Sequence, residues 1–144
     1  CIFANYYNIN KSMKLNGPKK RVVAQSETIY NLVSNCSHLS KYMPPEYELI
    51  ASDSDSIEFE IKNITRLKIV IADRVPFSRV EFQVHNDKNF PILLVIDIDQ
   101  QQMESEIELY IEADIPFYLQ PVVKSPLNKM MEEITNRIKV EAEK

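Results

Sequence analysis

The chain of 144 residues, 44% apolar and 26% charged, has the length and residue mix of one globular domain with a core of its own. Seventeen basic against 21 acidic residues give a net charge of −4, which argues against general nucleic-acid binding. No apolar run approaches the roughly 18 residues needed to cross a bilayer, and no charged-then-apolar leader opens the chain, so a cytoplasmic protein without stable membrane insertion is expected.

Residues 1–12 are rich in Asn and Tyr and show no period. With Met13 they read as an N-terminal extension, poorly ordered or foreign to the natural protein, ahead of a single domain over 14–144. Lys14 to Ala24 predict a first strand, which must bulge at Gly17-Pro18 or begin after it, because Pro cannot donate to a ladder. Gln25 to Val33 predict a short helix with Ile29, Tyr30, Leu32 and Val33 on a helical pattern, and Ser37 to Tyr42 a second, ended by Pro44-Pro45.

Six further strands follow, each alternating apolar and polar residues between short turns. Their apolar positions are Tyr47, Leu49 and Ala51; Ile57, Phe59 and Ile61; Leu67, Ile69 and Ile71; Val80, Phe82 and Val84; Ile92, Leu94, Ile96 and Ile98; and Ile107, Leu109 and Ile111. Short turns and period two mean antiparallel neighbours with one face to the core. The tail, from about Phe117 to Glu141, predicts one long amphipathic helix: Leu127, Met130, Met131, Ile134, Ile138 and Ala142 recur at steps of three and four. Ser125-Pro126 is a start signal, and Leu119, Val122 and Val123 extend the stripe upstream across Pro121, which predicts a kink or a short leading turn.

Charge is unevenly spread. Residues 1–26 carry Lys11, Lys14, Lys19, Lys20 and Arg21 and no acid, whereas 104–114 carry Glu104, Glu106, Glu108, Glu112 and Asp114. The simplest reading is a pair of neighbouring strands of opposite charge on one solvated face. Cys1 and Cys36 form no disulfide framework and no metal-ligand spacing surrounds them; Cys36 reads as a small buried hydrophobe, and Cys1 raises the minor option of a lipid-modified terminus.

One strand, two short helices, six strands and a long helix give an α+β domain. This order resembles the helix-grip fold of the START-like superfamily, whose bacterial members are called polyketide cyclase/dehydrase-like or SRPBCC. The resemblance is carried by Val22 to Leu32, by Ser34 to Leu39 and by Ala113-Asp114-Ile115-Pro116-Phe117 leading into the tail helix. It implies a seven-stranded curved antiparallel sheet wrapped around the C-terminal helix, with the two short helices between strands one and two. The chain departs from the family pattern in having Val23 where Pro is frequent and in having no Trp.

In that fold the space between sheet and helix is lined by Tyr30, Phe59, Ile61, Leu67, Ile69, Phe82, Leu94, Ile96, Leu109, Leu127, Met130, Met131 and Ile134, with Arg21 and Ser105 as a polar rim. These side chains either fill a core or leave an apolar cavity for a hydrophobic small molecule or lipid, the non-catalytic binding function that the resemblance favours. No catalytic constellation is visible: the lining is aliphatic, His38 and His85 have no partner at ligand spacing, and one glycine forms no phosphate-cradling loop. No metal or cofactor is expected, and oligomeric state is left open. The alternatives are a cyclase/dehydrase-like enzyme and a co-chaperone-like protein-interaction module.

Overall fold

A computed structural model describes residues 13–63 and 65–144. Seven strands are present: β1 (Met13–Val22), β2 (Tyr47–Ser52), β3 (Ser56–Ile61), β4 (Thr65–Val75), β5 (Arg79–Asn86), β6 (Ile92–Gln101) and β7 (Glu104–Ala113). Helices α1 (Ser26–Val33) and α2 (Cys36–Leu39), the latter running into a 3-10 turn over Ser40–Tyr42, follow β1. A 3-10 turn at Phe117–Leu119 leads into the long helix α3 (Gln120–Ala142).

All strands form one antiparallel sheet in the order β1-β7-β6-β5-β4-β3-β2, a meander whose first strand closes onto its last. Alternation decides the faces. Val80, Phe82 and Val84, then Leu94, Ile96 and Ile98, then Ile107, Leu109 and Ile111 point inward and are buried. They meet Leu127, Met130, Met131, Ile134 and Ile138 of α3 in one continuous core. Strand β6 is apolar on both faces at its start, and Leu93 and Val95 are buried on the side away from the helix, beside Glu81 and Gln83.

Curvature comes from register shifts at Asn16/Lys19, Leu49/Ala51 and Ile71/Asp73. The first is the bulge expected at Gly17-Pro18. The third flips the parity of β4 beyond Ile71, which keeps Phe82 as its partner and packs, partly buried, against the core; Ala72, the extra residue, is also buried. With a single glycine in the chain, each turn from β3 to β7 places an ordinary residue at positive φ: Asn63, Phe77, Asn89 and Gln102. Gly17 itself is required by proximity: a Cβ there would lie 2.6 Å from the Leu109 carbonyl oxygen and 2.7 Å from Met131 Sδ.

Several boundaries differ from the sequence reading. Met13 is buried in β1, opposite Ala113, and is not part of an extension; the expectations for residues 1–12, Cys1 among them, lie outside the described residues. Leu49 and Ala51 are exposed because β2 is the sheet edge and bulges between them. The tail helix does not start at Ser125-Pro126: it starts at Gln120 with Pro121 in its first turn, and Pro126 lies inside it. The expected pairing of the basic and acidic stretches is present, with Lys19 3.6 Å from Glu106 and Arg21 3.1 Å from Glu104 across β1 and β7. No helix among the described residues is long and apolar enough to cross a membrane.

Candidate functional site

The α3 helix has two parts. Every buried side chain it carries, from Leu127 through Met130, Met131, Ile134, Thr135 and Ile138 to Ala142, lies after Pro126. The turns before Pro126 carry no buried side chain. Proline has no amide hydrogen, so the Val122 carbonyl has no donor one turn ahead, and the helix is weakest where its packing changes.

Beneath these first turns is an apolar pocket of about 190 Å³. Its roof is Leu119, Val122, Val123, Pro126 and Leu127; its floor is Ile61, Leu67 and Ile92 from the strands; its walls are Tyr47, Phe90 and Ile115. Thr65, Asn86, Asp87 and Lys88 stand at one end, where β4 begins and the β5–β6 turn crosses. Most of these polar atoms are committed. Asn86 Oδ1 accepts from the amides of Lys88 and Phe90, both at 3.2 Å, while its Nδ2 donates to the Phe90 carbonyl at 2.9 Å. Thr65 Oγ1 donates to Asp87 Oδ2 at 3.1 Å, and the Arg66 amide reaches the same oxygen at 3.5 Å.

The tie between roof and sheet edge is Tyr47, whose hydroxyl donates to the Pro126 carbonyl at 2.9 Å. Its ring stands edge-on to Phe59, with centroids 5.8 Å apart. Burial pushes the phenol well above its usual range, aided by the charge of Glu46, so it remains a donor at alkaline pH.

Of the residues expected to line a cavity, Ile61, Leu67 and Leu127 do so. Phe59, Ile69, Phe82, Leu94, Ile96, Leu109, Met130, Met131 and Ile134 instead pack in the continuous core deeper under α3. Tyr30 is not at the pocket: its ring packs edge-on against Phe77 at 5.6 Å. Neither expected rim residue reaches it. The Arg21 side chain is 63% exposed and paired with Glu104 on the outer face, the face its position in β1 dictates once the bulge has set the register. Ser105 is fully buried at the far end of β7, where its hydroxyl donates to the Ala24 carbonyl at 2.9 Å and takes a hydrogen bond from Ser26 Oγ at 3.0 Å. It fastens the start of α1 to the sheet, helped by Gln100 Oε1, which accepts from the Ser26 amide at 2.7 Å.

The pocket residues absent from the expected set are the apolar Tyr47, Phe90, Ile92, Ile115, Leu119, Val122, Val123 and Pro126 and the polar Thr65, Asn86, Asp87 and Lys88. Several lie in connections, where no period marks them. Leu119, Val122 and Val123 were visible as an upstream continuation of the helical stripe.

A larger depression, about 580 Å³, lies on the outer face of the sheet among Lys19, Ser78, Arg79, Asp97, Asp99, Glu106 and Glu108. Both of its cations are paired: Arg79 Nε is 2.6 Å from Asp97 Oδ1 and Lys19 is paired with Glu106. Cys36, the first residue of α2, is fully buried, and burial pushes its thiol up to about 12, against the opposing pull of Arg74. Among the described residues no group of three or more His, Cys, Asp or Glu could hold a metal ion.

No protein-family profile matches the sequence, and no curated protein matches it. The fold is nevertheless shared widely. A conserved protein from Geobacillus kaustophilus superposes with a TM-score of 0.70 at 14% identity, over 90% of this chain and 95% of that one. A START superfamily protein from Mycobacterium smegmatis gives 0.64 at 13% identity, over 90% and 97%. The Aha1 dimer from Colwellia psychrerythraea gives 0.66 at 11% identity, over 91% and 96%. The chain therefore has the START-like helix-grip fold; at these identities the likeness is one of fold.

Proposed function

We propose that this START-like helix-grip domain binds a small hydrophobic molecule in the pocket under the first turns of α3, without catalysis of its own. The observation that carries the reading is the pocket's make-up: apolar side chains from both sheet and helix, with polar groups confined to one end. The cyclase-like alternative needs ionisable groups converging inside. Asp87 and Lys88 stand at the rim, and Asp87 is held to Thr65 and Arg66.

Size limits the ligand. The pocket's 190 Å³ falls below the roughly 300 Å³ at which sites for drug-sized molecules begin. A larger guest requires the roof to rise, and the segment before Pro126 is the part of α3 without a buried side chain to hold it down. The test is titration with the neutral dye N-phenyl-1-naphthylamine, together with organic extraction of purified protein. Saturable binding that is lost in Val123→Trp, which fills the pocket, supports the reading. No saturable binding and no extracted molecule would end it.

A second reading has an observation of its own. Phe117 is 85% exposed and Tyr118 76%, an apolar surface in the turn leading into α3 and outside the pocket. A second copy of the chain is its simplest occupant. Sedimentation velocity should then give a dimer that Phe117→Ser with Tyr118→Ser dissociates; a wild-type monomer at about 100 μM, far above the dissociation constant of a typical stable dimer, rejects it.

A further inference from the structure

We infer that the pocket's ligand is a short amphiphile with a carboxylate head, and that Lys88 is the residue that reads the head. The inference rests on the apolar-pocket reading and adds a ligand class to it.

Among the polar side chains at the pocket's end, Asn86 has both its amide oxygen and its amide nitrogen engaged with the Lys88–Phe90 backbone. The Thr65 hydroxyl is directed to Asp87 and to the Arg66 carbonyl. Asp87, in turn, holds Thr65 and the Arg66 amide on its Oδ2. Lys88 is the cation among the lining residues, exposed, with its ammonium in no hydrogen bond or ion pair to a described residue. Its backbone is held by the hydrogen bond its amide donates to Asn86 Oδ1 and by the positive-φ turn at Asn89, so the ammonium is carried on a fixed platform at the mouth.

A ligand that fills the pocket thus leaves its last atoms beside an uncommitted positive charge. An ammonium head would be repelled by Lys88, the neighbouring Asp87 carboxylate being already engaged by Thr65 and the Arg66 amide, and a hydroxyl would gain one neutral hydrogen bond. A carboxylate gains a charge-assisted one, about twice as strong. The length of the tail follows from volume: 190 Å³ holds about six groups of water or methylene size at about 30 Å³ each. That is a tail of about six carbons within the pocket, with the head at its mouth, not a membrane lipid.

The experiment is displacement of N-phenyl-1-naphthylamine by octanoate, octanol and octylamine, with palmitate as a length control. In the wild type octanoate should bind about tenfold tighter than octanol, as expected of a charge-assisted over a neutral hydrogen bond, octylamine should bind worst, and palmitate should gain nothing over octanoate. Lys88→Gln should bring octanoate level with octanol, and Lys88→Glu should reverse the order of octanoate and octylamine; both changes are at an exposed side chain and circular dichroism should report an unchanged fold. Equal binding of octanoate and octanol to the wild type, or an octanoate preference that survives Lys88→Gln, overturns the role of Lys88. A palmitate affinity well above that of octanoate overturns the chain length. If none of the compounds displaces a dye that does bind, the ligand class is wrong while the pocket stands; if the dye itself never binds, the pocket reading fails and this inference with it.

Discussion

The Tyr47 hydroxyl, on the edge strand β2, donates to the carbonyl of Pro126, the residue at which α3 changes from a loosely seated segment to a buried one. One side chain thereby fastens the roof of the pocket to its wall. Tyr47→Phe keeps the ring and its contact with Phe59 but removes the donor, for an expected loss of about 1 kcal/mol. Hydrogen exchange should speed up over 117–125 and stay unchanged over 127–142. Uniform acceleration along the helix would mean that the bond holds nothing in particular.

Pro126→Ala should act in the opposite direction on the same segment. It restores an amide facing the Val122 carbonyl, a gain of up to about 3 kcal/mol for a helix interior, less up to about 1 kcal/mol for the greater freedom of the unfolded chain. The net expectation is a stabilisation of about 1 to 2 kcal/mol by urea denaturation, with slower exchange at 120–125. If the roof must rise to admit a guest, dye association should slow in this variant while the equilibrium constant changes little.

Gly17→Ala is expected to be among the most damaging small substitutions in the chain. The new Cβ would meet the Leu109 backbone oxygen, which cannot move without separating β1 from β7, as well as Met131 Sδ, which can. A loss of about 1 to 3 kcal/mol is expected, read as a lower urea midpoint. Gly17→Ala combined with Met131→Ala should not restore stability, since the carbonyl contact remains.

Burial raises the Cys36 thiol from an ordinary value of 9.0 to about 12. The folded pKa is above the unfolded one, so the stabilising contribution is complete below pH 9 and is lost as pH rises toward 12. In a Cys1→Ser background the urea midpoint should fall more steeply between pH 8 and 11 than in the same protein carrying Cys36→Ala. Tyr47 contributes a like-signed loss at higher pH in both proteins and cancels in the comparison. The thiol should also be inert to disulfide reagents at pH 8 until urea is added.

The strands were legible because a single buried face imposes period two, and the helix because a single stripe imposes steps of three and four. What escaped is where geometry overrides period. Ala72 is an extra residue in a bulge that no residue type announces, beyond which β4 changes parity, and Leu49 loses its cover because β2 ends the sheet. Pro126 looked like a beginning because proline is welcome at a first turn, but α3 already had Pro121 there and continued through the second proline because the buried turns after it hold the helix in place. The site was the least legible part. A pocket exists where elements fail to touch, and the residues that border this one, Phe90 and Ile115 among them, sit in connections without periodicity. The fully buried aliphatics proposed from the pattern are those that touch well enough to close the space.

The pairing of β1 with β7 fixes an order of events during synthesis. Neighbouring strands from β2 to β7 are hairpin partners and can zip as they emerge, whereas each β1 residue finds its partner about 80 to 100 residues later, from Val22 with Ser105 to Met13 with Ala113. Closing so long a loop is slow. A nascent chain still lacking β7 therefore carries an unpartnered, lysine-rich first strand, whose positive charges hinder the edge-to-edge aggregation that such a strand otherwise invites. The glutamates that later cancel that charge arrive with the strand that ends the need for it.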